Sequence, residues 1–220
     1  MSNRKSCKQL NLILKQVAQD QGEEVKLNDL EIVDVVDGAF KKQRFPIELV
    51  LEELKEIKTL KKLNLANLSI KRLPSEIGAL TNLEYLNLSG NYLSELPLEI
   101  RSLVNLESLN ISNNKLRDLP VEICSLTKLN TLNLNDNQLN GLPNQIGQLG
   151  NLAILYLKNN PLKALPTEIR LLKNLVVMDL HDTDIPIPIE MKYKLADVQE
   201  KLEYYFSLNS TSRALNESKA

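Results

Sequence analysis

The 220-residue sequence has no tryptophan, 3 phenylalanines, 7 glycines, 2 cysteines and 1 histidine. Aromatic residues make up only 4% of the chain, so a β-sandwich built around aromatic anchors is a poor fit. The low glycine content equally disfavours a collagen-like fibre or a flexible linker array. The 27 basic residues are balanced by 28 acidic ones, which leaves no basic surplus for phosphate contacts. We therefore expect no nucleic-acid partner.

Two further absences concern the cellular compartment. Cys7 and Cys124 lie far apart in the sequence and cannot form the disulfide framework of a small secreted domain, which indicates a reducing environment. No apolar run approaches the ~20 residues that a membrane-spanning helix needs. Residues 9–18 mix Lys, Gln and Asn into their apolar positions, which is not typical of a signal peptide. The expected location is cytoplasmic.

Leucine and asparagine are abundant instead, with 45 and 24 residues. The leucines follow the spacing L-x-x-L-x-L, and this pattern returns at a fixed interval of 23 residues. Its first position is occupied by Leu60, Leu83, Leu106, Leu129, Leu152 and Leu175. A fixed interval of this length indicates a repeat protein, and it takes priority over any strand-by-strand assignment.

The remaining parts of each repeat keep the same interval. An asparagine returns at Asn91, Asn114, Asn137 and Asn160, and a Leu-Pro pair returns at Leu73-Pro74, Leu96-Pro97, Leu119-Pro120, Leu142-Pro143 and Leu165-Pro166. The alternation in L-x-L predicts a short strand with its leucines on one face. Each asparagine can bond backbone groups through both ends of its side-chain amide. Each proline suits the first turn of a short helix.

This pattern resembles the leucine-rich repeat family in its 23-residue form, L-x-x-L-x-L-x-x-N-x-L-x-x-L-P-x-E-I-x-x-L, which occurs in intracellular Ras-group-related and bacterial proteins. Five full copies and a sixth partial copy cover residues 60–189. The first copy departs at one place, with Leu68 in the asparagine position. The resemblance implies an α/β solenoid with a curved parallel β-sheet on its concave face and short helices on its convex side.

The two ends of the chain complete the predicted domain plan. Leu27, Leu30 and Ile32 reproduce L-x-x-L-x-L before the regular array, which predicts an irregular first repeat. Caps are needed because a terminal coil would otherwise expose its apolar face. We predict an N-terminal helical cap, the irregular first repeat, the repeat array, a C-terminal capping helix and a disordered tail, at residues 1–26, 27–59, 60–189, 190–208 and 209–220 respectively.

Catalytic and metal sites are not expected. His181 is the only histidine, and Cys124 belongs to the convex side more than two repeats away, so the two do not suit a nucleophile and base. Asp179, Asp182 and Asp184 lie near His181 in the sequence. Aspartates on an exposed turn with one histidine are more typical of a solvated acidic edge than of a metal site. We expect no enzyme, no cofactor and no metal.

The residues between the buried leucines of each strand face solvent and offer a binding surface. In the earlier repeats most are small and polar, including the row Asn64, Asn87, Asn110 and Asn133, which we interpret as a polar ladder that keeps the sheet soluble. The last two repeats instead combine apolar residues, a tyrosine and charges, as interface hot spots do. The predicted partner-binding residues are Tyr85, Ile154, Tyr156, Lys158, Val177, Asp179 and His181. The alternative is that the C-terminal segment covers the last inner strands.

The size of the concave face suits a protein partner. Seven strands would present ~780 Å², close to the ~800 Å² that each partner buries in a standard interface. The resemblance implies a non-enzymatic, monomeric protein-binding module in signalling or scaffolding, with a small GTPase, a phosphatase or a ubiquitin-pathway protein as candidate partners. Two alternatives stay open. One is a bacterial effector, secreted into a host cell, that acts on host signalling or ubiquitination; the other is a structural solenoid that self-associates.

Overall fold

The computed structural model describes residues 24–26, 32–33, 45–193 and 198–217. Its main element is a seven-stranded parallel sheet of three-residue strands. In order across the sheet, these strands are β1 (Glu24–Lys26), β4 (Lys62–Asn64), β5 (Tyr85–Asn87), β6 (Ser108–Asn110), β7 (Thr131–Asn133), β8 (Ile154–Tyr156) and β9 (Val177–Asp179). A separate parallel pair is formed by β2 (Ile32–Val33) and β3 (Phe45–Pro46). The α-helices are α1 (Ile47–Leu54), α2 (Ile189–Tyr193) and α3 (Val198–Glu217).

The strands from β4 to β9 pair with one another in the same register throughout. Lys62 pairs with Tyr85 and, at the other end of the sheet, Ile154 pairs with Val177. Each step across the sheet is therefore a step of 23 residues along the chain. The middle residue of each of these strands is fully buried and belongs to one continuous apolar core. The predicted α/β solenoid with a parallel sheet is confirmed.

Short 3-10 helices follow the Leu-Pro pairs on the convex side of the core. Each begins directly after a proline whose backbone is extended, such as Pro74 at φ −75° and ψ 160°. Proline has the φ that a helix start needs and lacks an N–H that would go unbonded there. The fully buried Ile77 fixes the first of these helices to the core. The helices are Ser75–Ala79, Leu98–Ser102, Val121–Ser125, Asn144–Gln148 and Thr167–Leu171, and they correspond to the predicted short convex helices.

One position of each of the six regular repeats has a left-handed backbone. Its residues are Asn67, Gly90, Asn113, Asp136, Asn159 and Asp182, with φ between 53° and 68°. Glycine tolerates this conformation because it has no Cβ, and asparagine and aspartate tolerate it better than other residues do. A Cβ built on Gly90 would also lie 2.0 Å from Oδ1 of Asn67. Backbone geometry is thus one cause of the high asparagine content.

The buried asparagines link neighbouring coils. The Oδ1 atom of Asn114 accepts a hydrogen bond from the N–H of Leu93 at 2.9 Å. Its Nδ2 donates to the main-chain oxygens of Leu88 at 3.0 Å and Ile111 at 3.1 Å. Equivalent bonds are made by Asn91, Asn137 and Asn160. Each amide thus satisfies buried backbone groups of two coils, and the predicted bonding through both of its ends is confirmed.

A second asparagine ladder, not predicted from the sequence, lies in the loops that precede the strands. Nδ2 of Asn105 donates to the main-chain oxygen of Thr81 at 2.9 Å. The equivalent bond, at 2.7 to 3.0 Å, is made by Asn82, Asn151 and Asn174. Lys128 takes this position in one repeat and donates to Oδ1 of Asn105 instead. The regular 23-residue interval of this row was the signal that could have revealed it.

The first repeat begins earlier than predicted. Val25 in the middle of β1 pairs with Leu63, whereas the predicted register gives that place to Leu30. The predicted strand would have contained Asp29, a residue type that is depleted in strands, while β-branched valine suits a strand. A helical cap therefore cannot extend to residue 26, because Glu24–Lys26 is a strand.

The rest of the N-terminal region is described only in part. Residues 1–23, the greater part of the predicted helical cap, lie outside the described residues. The helix α1 begins directly after Phe45–Pro46, where the sequence imitates the Leu-Pro of the later repeats. The α1 residues that are completely buried in the core are Ile47, Val50, Leu51 and Leu54.

The helix α3 packs against the fifth regular coil, residues 152–174. Oη of Tyr205 accepts a hydrogen bond from the N–H of Leu165 at 3.1 Å. The guanidinium of Arg170 lies 5.4 Å from the ring centroid of Phe206. Val198, Leu202 and Tyr205 are buried in the same core as the repeats. The last coil therefore shares its apolar core with α3.

The C-terminal boundaries differ from the predicted ones in one respect. The predicted capping helix corresponds to α2 and the first part of α3, and residues 194–197 lie outside the described residues. The helix α3 then continues to Glu217, although residues 209–220 were predicted to be disordered. The segment 213–215 contains arginine, alanine and leucine, which favour a helix despite the polar composition around them. Residues 218–220 lie outside the described residues.

Candidate partner-binding surface

The concave face is formed by alternate residues of β4 to β9. Because the middle residue of each strand is buried in the core, its two neighbours point to the opposite face. Counted from the first leucine of the repeat, these neighbours are the third and fifth residues, and the seventh continues the alternation. The three resulting rows of side chains are the surface that the repeat pattern predicts.

The asparagines at the fifth position support the backbone of this face. Oδ1 of Asn87 accepts a hydrogen bond from the N–H of Ser89 at 3.0 Å. The same bond, also at 3.0 Å, is made by Asn64, Asn110 and Asn133. Asparagine commonly bonds the backbone two residues further on, which secures the turn out of a strand. The row thus supports the backbone at the end of each strand; that it keeps the sheet soluble stays a prediction.

Tyr156 interrupts this row, and the preceding coil supplies the missing acceptor. A phenol does not offer the carbonyl oxygen that asparagine places here. The N–H of Lys158 instead donates to Oδ1 of Asn135 at 2.8 Å. The backbone is therefore satisfied without the side chain of Tyr156.

Three of the predicted site residues lie together at one end of the concave face. Ile154 and Val177 are direct partners on the adjacent strands β8 and β9, which are ~4.8 Å apart. Tyr156 lies two residues beyond Ile154 on the same face. All three are half-buried, and Lys158, the next residue on this face, is exposed. The structure therefore brings these four predicted residues together.

Val176, next to Val177 in the sequence, is a further exposed apolar residue and was not predicted. Its side chain is 60% exposed directly beside Val177. It occupies the second position of the repeat, which is polar or charged in the earlier repeats and changes to Ala153 and Val176 in the last two. This change of character was the signal that could have identified it. We define the apolar cluster as Ile154, Tyr156 and Val177.

The two remaining residues at this end make contacts within the chain. Asp179 is only 7% exposed, and its Oδ1 accepts a hydrogen bond from the N–H of His181 at 3.0 Å and also contacts the imidazole Nδ1. The ring of Tyr193 in α2 packs edge-on against His181, with the ring centroids 4.1 Å apart. Tyr193 therefore covers His181, two residues beyond the last inner strand, while Ile154, Tyr156 and Val177 stay half-buried.

Tyr85 lies apart from the other predicted residues. It is half-buried in β5, and Ser108 and Thr131 occupy the same row between it and Ile154. Three strand spacings correspond to ~14 Å. Tyr85 can contribute to the same interface only if the partner extends across the middle of the sheet.

Residues suited to catalysis are not brought together. Cys124 is completely buried in the convex 3-10 helix Val121–Ser125. Burial, with a smaller contribution from Glu122, raises the pKa of its thiol to about 11. His181 follows β9 on the concave side, in a different coil. Within the described part of the chain, no three His, Cys, Asp or Glu side chains are grouped so as to hold a metal ion.

Stacked coils, each with one strand in a shared parallel sheet and most with a short helix behind it, define a solenoid repeat protein. A family profile described as a leucine-rich repeat region matches residues 77–152 and 98–186, which together make up half of the chain. The chain belongs to the leucine-rich repeat family. This fold commonly mediates protein–protein interaction, for which its extended concave surface is suited.

Several solved structures are similar to this chain. A leucine-rich repeat protein of Leptospira interrogans is 34% identical, with a TM-score of 0.63 over 76% of this chain and 45% of that one. Internalin C2 of Listeria monocytogenes is 28% identical, with a TM-score of 0.52 over 57% of this chain and 54% of that one. The ectodomain of the Arabidopsis thaliana receptor kinase GASSHO1/SCHENGEN3, in complex with CASPARIAN STRIP INTEGRITY FACTOR 2, is 32% identical, with a TM-score of 0.55 over 64% of this chain and 18% of that one.

The chain thus spans about half of the length of the two bacterial relatives, and less of the plant receptor. No curated protein sequence gives a significant match. Among the residues whose placement is described, no helix combines the length and apolar character that crossing a membrane would require.

Proposed function

We propose that the protein is a non-enzymatic protein-binding module in signalling or scaffolding, and that its partner binds the concave face at the apolar cluster. The observation that carries this proposal is the contiguity of the cluster: Ile154 and Val177 are paired, and half-buried Tyr156 lies two residues beyond Ile154 on the same face. Hot spots of interfaces combine aromatic and apolar side chains that lose their water on binding. Lys158 and Tyr193, which are both exposed, provide the polar rim that such a centre needs.

The relatives support a binding role for this fold. The plant receptor ectodomain was solved in complex with CASPARIAN STRIP INTEGRITY FACTOR 2. The concave face of the present chain is large enough for a protein partner, since its sheet has seven strands of similar length. The earlier strands carry mostly small polar residues, whose burial costs desolvation and gains little hydrophobic free energy. We therefore expect most of the binding energy at the last two strands.

The proposal is tested by affinity capture from lysate followed by mass spectrometry. The test variant carries Tyr156→Ala and Val177→Arg, and the control carries Ser108→Arg, at the same repeat position as Val177 but in β6. We expect the test variant to lose the captured partner and the control to keep it. The loss should be ~2 kcal/mol or more, which is about 30-fold in Kd once the partner is identified. Circular dichroism and thermal melting should show both variants folded like the wild type.

Two outcomes would contradict the proposal. If the folded test variant captures the same partner as the wild type, the apolar cluster is not the binding site. If light scattering shows a concentration-dependent dimer that Val177→Arg abolishes, the concave face serves self-association instead of binding a different protein.

A further inference from the structure

Asn140 differs from the other asparagines described above. In the buried and concave rows, the side-chain amide is held by hydrogen bonds to the backbone. Asn140 is exposed, and its side chain has no hydrogen-bond partner among the residues that the structure describes. Its main-chain N–H makes a long bond to the oxygen of Arg117 at 3.3 Å. The side chain of Asn140 is therefore free to change its rotamer.

The next residue, Gly141, makes this freedom chemically important. Asn140 is the only asparagine of the chain that is followed by glycine. Gly141 is exposed, and its N–H has no acceptor within the described part of the chain. A Cβ built on it would meet no atom within 4 Å, and its φ lies outside the left-handed region. The fold does not require glycine here, since the equivalent positions of other repeats hold Arg72, Glu95, Asp118 and Ala164.

We propose that Asn140 is a site of spontaneous deamidation. The nitrogen of Gly141 loses its proton to a solvent base and attacks Cγ of Asn140. A new C–N bond forms, the conjugate acid of the solvent base returns a proton to Nδ2, the Cγ–Nδ2 bond breaks, and ammonia leaves. Water then opens the resulting cyclic imide at either carbonyl, which gives aspartate or isoaspartate. Glycine favours the attack because it has no Cβ to shield its nitrogen and because its backbone rotates with little restriction.

The two products have different effects on the solenoid. Asn140 lies between Leu139 and Leu142, which are 0% and 9% exposed and belong to the core. Isoaspartate inserts a methylene into the main chain between these two buried leucines. In a close-packed core, the resulting shift of the leucines lowers the free energy of unfolding. Aspartate keeps the backbone length and adds one negative charge. Arg117 and Lys163 hold the equivalent positions in the two neighbouring repeats, so this charge faces a basic environment.

Heavy-oxygen labelling tests the proposal in the full chain. The wild type is incubated in mildly alkaline buffer made with heavy-oxygen water, so that every imide hydrolysed during incubation gains a label, and is then digested with trypsin in ordinary water. The tryptic peptide 129–158 contains Asn140 together with other asparagines, including exposed Asn144, as internal controls. We expect labelled aspartate and isoaspartate at Asn140, formed roughly tenfold faster than at Asn144, which corresponds to about 1.4 kcal/mol of activation free energy.

Gly141→Ala is the matched variant, because its Cβ has open space and its backbone is unstrained. It should keep the wild-type melting temperature and slow the labelling of Asn140 roughly tenfold. Conversion of Asn140 at the rate of Asn144, an unchanged rate in Gly141→Ala, or labelled aspartate without isoaspartate would each overturn the proposal. The aged isoaspartate form, separated by ion exchange, should melt below Asn140→Asp; equal melting would refute the effect on the core.

Discussion

The amino group of Lys201 donates a hydrogen bond to the main-chain oxygen of Met178 at 2.8 Å, although this lysine is only 2% exposed. Met178 is the middle residue of β9, the last strand of the sheet. Every earlier strand from β4 onwards has a following coil to bond its backbone, and β9 has α3 instead. A long side chain from the capping helix thus does at this edge what the next repeat does elsewhere.

The variant Lys201→Met tests this contact. Methionine is similar in length and apolar, so it fills the space without supplying a donor, and the oxygen of Met178 loses this bond. We expect the free energy of unfolding to fall by roughly 1 to 3 kcal/mol, the cost of a buried polar group left without a partner. Urea unfolding measures it. The control is Lys173→Met, because Lys173 is exposed in the preceding coil and its replacement should change stability by less than about 0.5 kcal/mol. Equal stability of Lys201→Met and the wild type would contradict this role.

The regular part of the fold could be predicted from the sequence because it is repeated. The position of Leu63 in its coil follows from the same pattern in the later coils, so chance apolar residues do not mislead the assignment. The first repeat has no such support. The prediction aligned Leu30 with Leu63, because Leu27, Leu30 and Ile32 match the leucine spacing, whereas in the structure Val25 pairs with Leu63. Local composition did not distinguish the two registers clearly, and pairing with β4 determines which of them forms.

The candidate site could be predicted only in part for a related physical reason. The position of Ile154 and Val177 side by side on the concave face follows from the alternation of side chains along a strand and from the repeat interval. The packing of Tyr193 on His181 occurs once, between segments that no periodicity relates. Such single contacts between the cap and the sheet decide which inner-face residues are accessible, and they appear only in the folded structure.

The second stability prediction concerns Asn114, which is 7% exposed and joins two coils. Asn114→Ala removes its bonds to three backbone groups and leaves the buried N–H of Leu93 without an acceptor. The oxygens of Leu88 and Ile111 each lose one of two bonds, because Asn91 and Asn137 still donate to them. We expect a loss of roughly 1 to 3 kcal/mol in the free energy of unfolding, with no selective loss of partner capture. Chemical denaturation measures the first and affinity capture the second.

Asn144→Ala is the control for this variant, because Asn144 is exposed at the start of a convex 3-10 helix. Its stability should stay within about 0.5 kcal/mol of the wild type. A melting temperature of Asn114→Ala that equals that of the control would show that the buried amide does not support the coils.

The third prediction concerns the pH dependence of stability through Cys124. Burial raises the pKa of this thiol from 9.0 to about 11 in the folded chain, and the charge of Glu122 makes a smaller contribution. As the pH rises, the thiol of Cys124 ionises first in the unfolded chain. This ionisation lowers the free energy of the unfolded state while the folded thiol is still neutral. The contribution of Cys124 to stability is therefore complete below about pH 9 and is lost progressively towards about pH 11, by at most about 3 kcal/mol.

The measurement uses a Cys7→Ser background, so that Cys124 is the only thiol. The free energy of unfolding between about pH 9 and 11 should fall more steeply in this protein than in the same background with Cys124→Ala, in which lysines and tyrosines titrate but no thiol does. At about pH 8 the thiol of the native protein should react with a disulfide reagent no faster than the chain unfolds, because thiolate is the reactive form. In denaturant the same thiol should react at once. Parallel stability curves for the two proteins, or rapid native labelling, would show that the thiol is not buried as described.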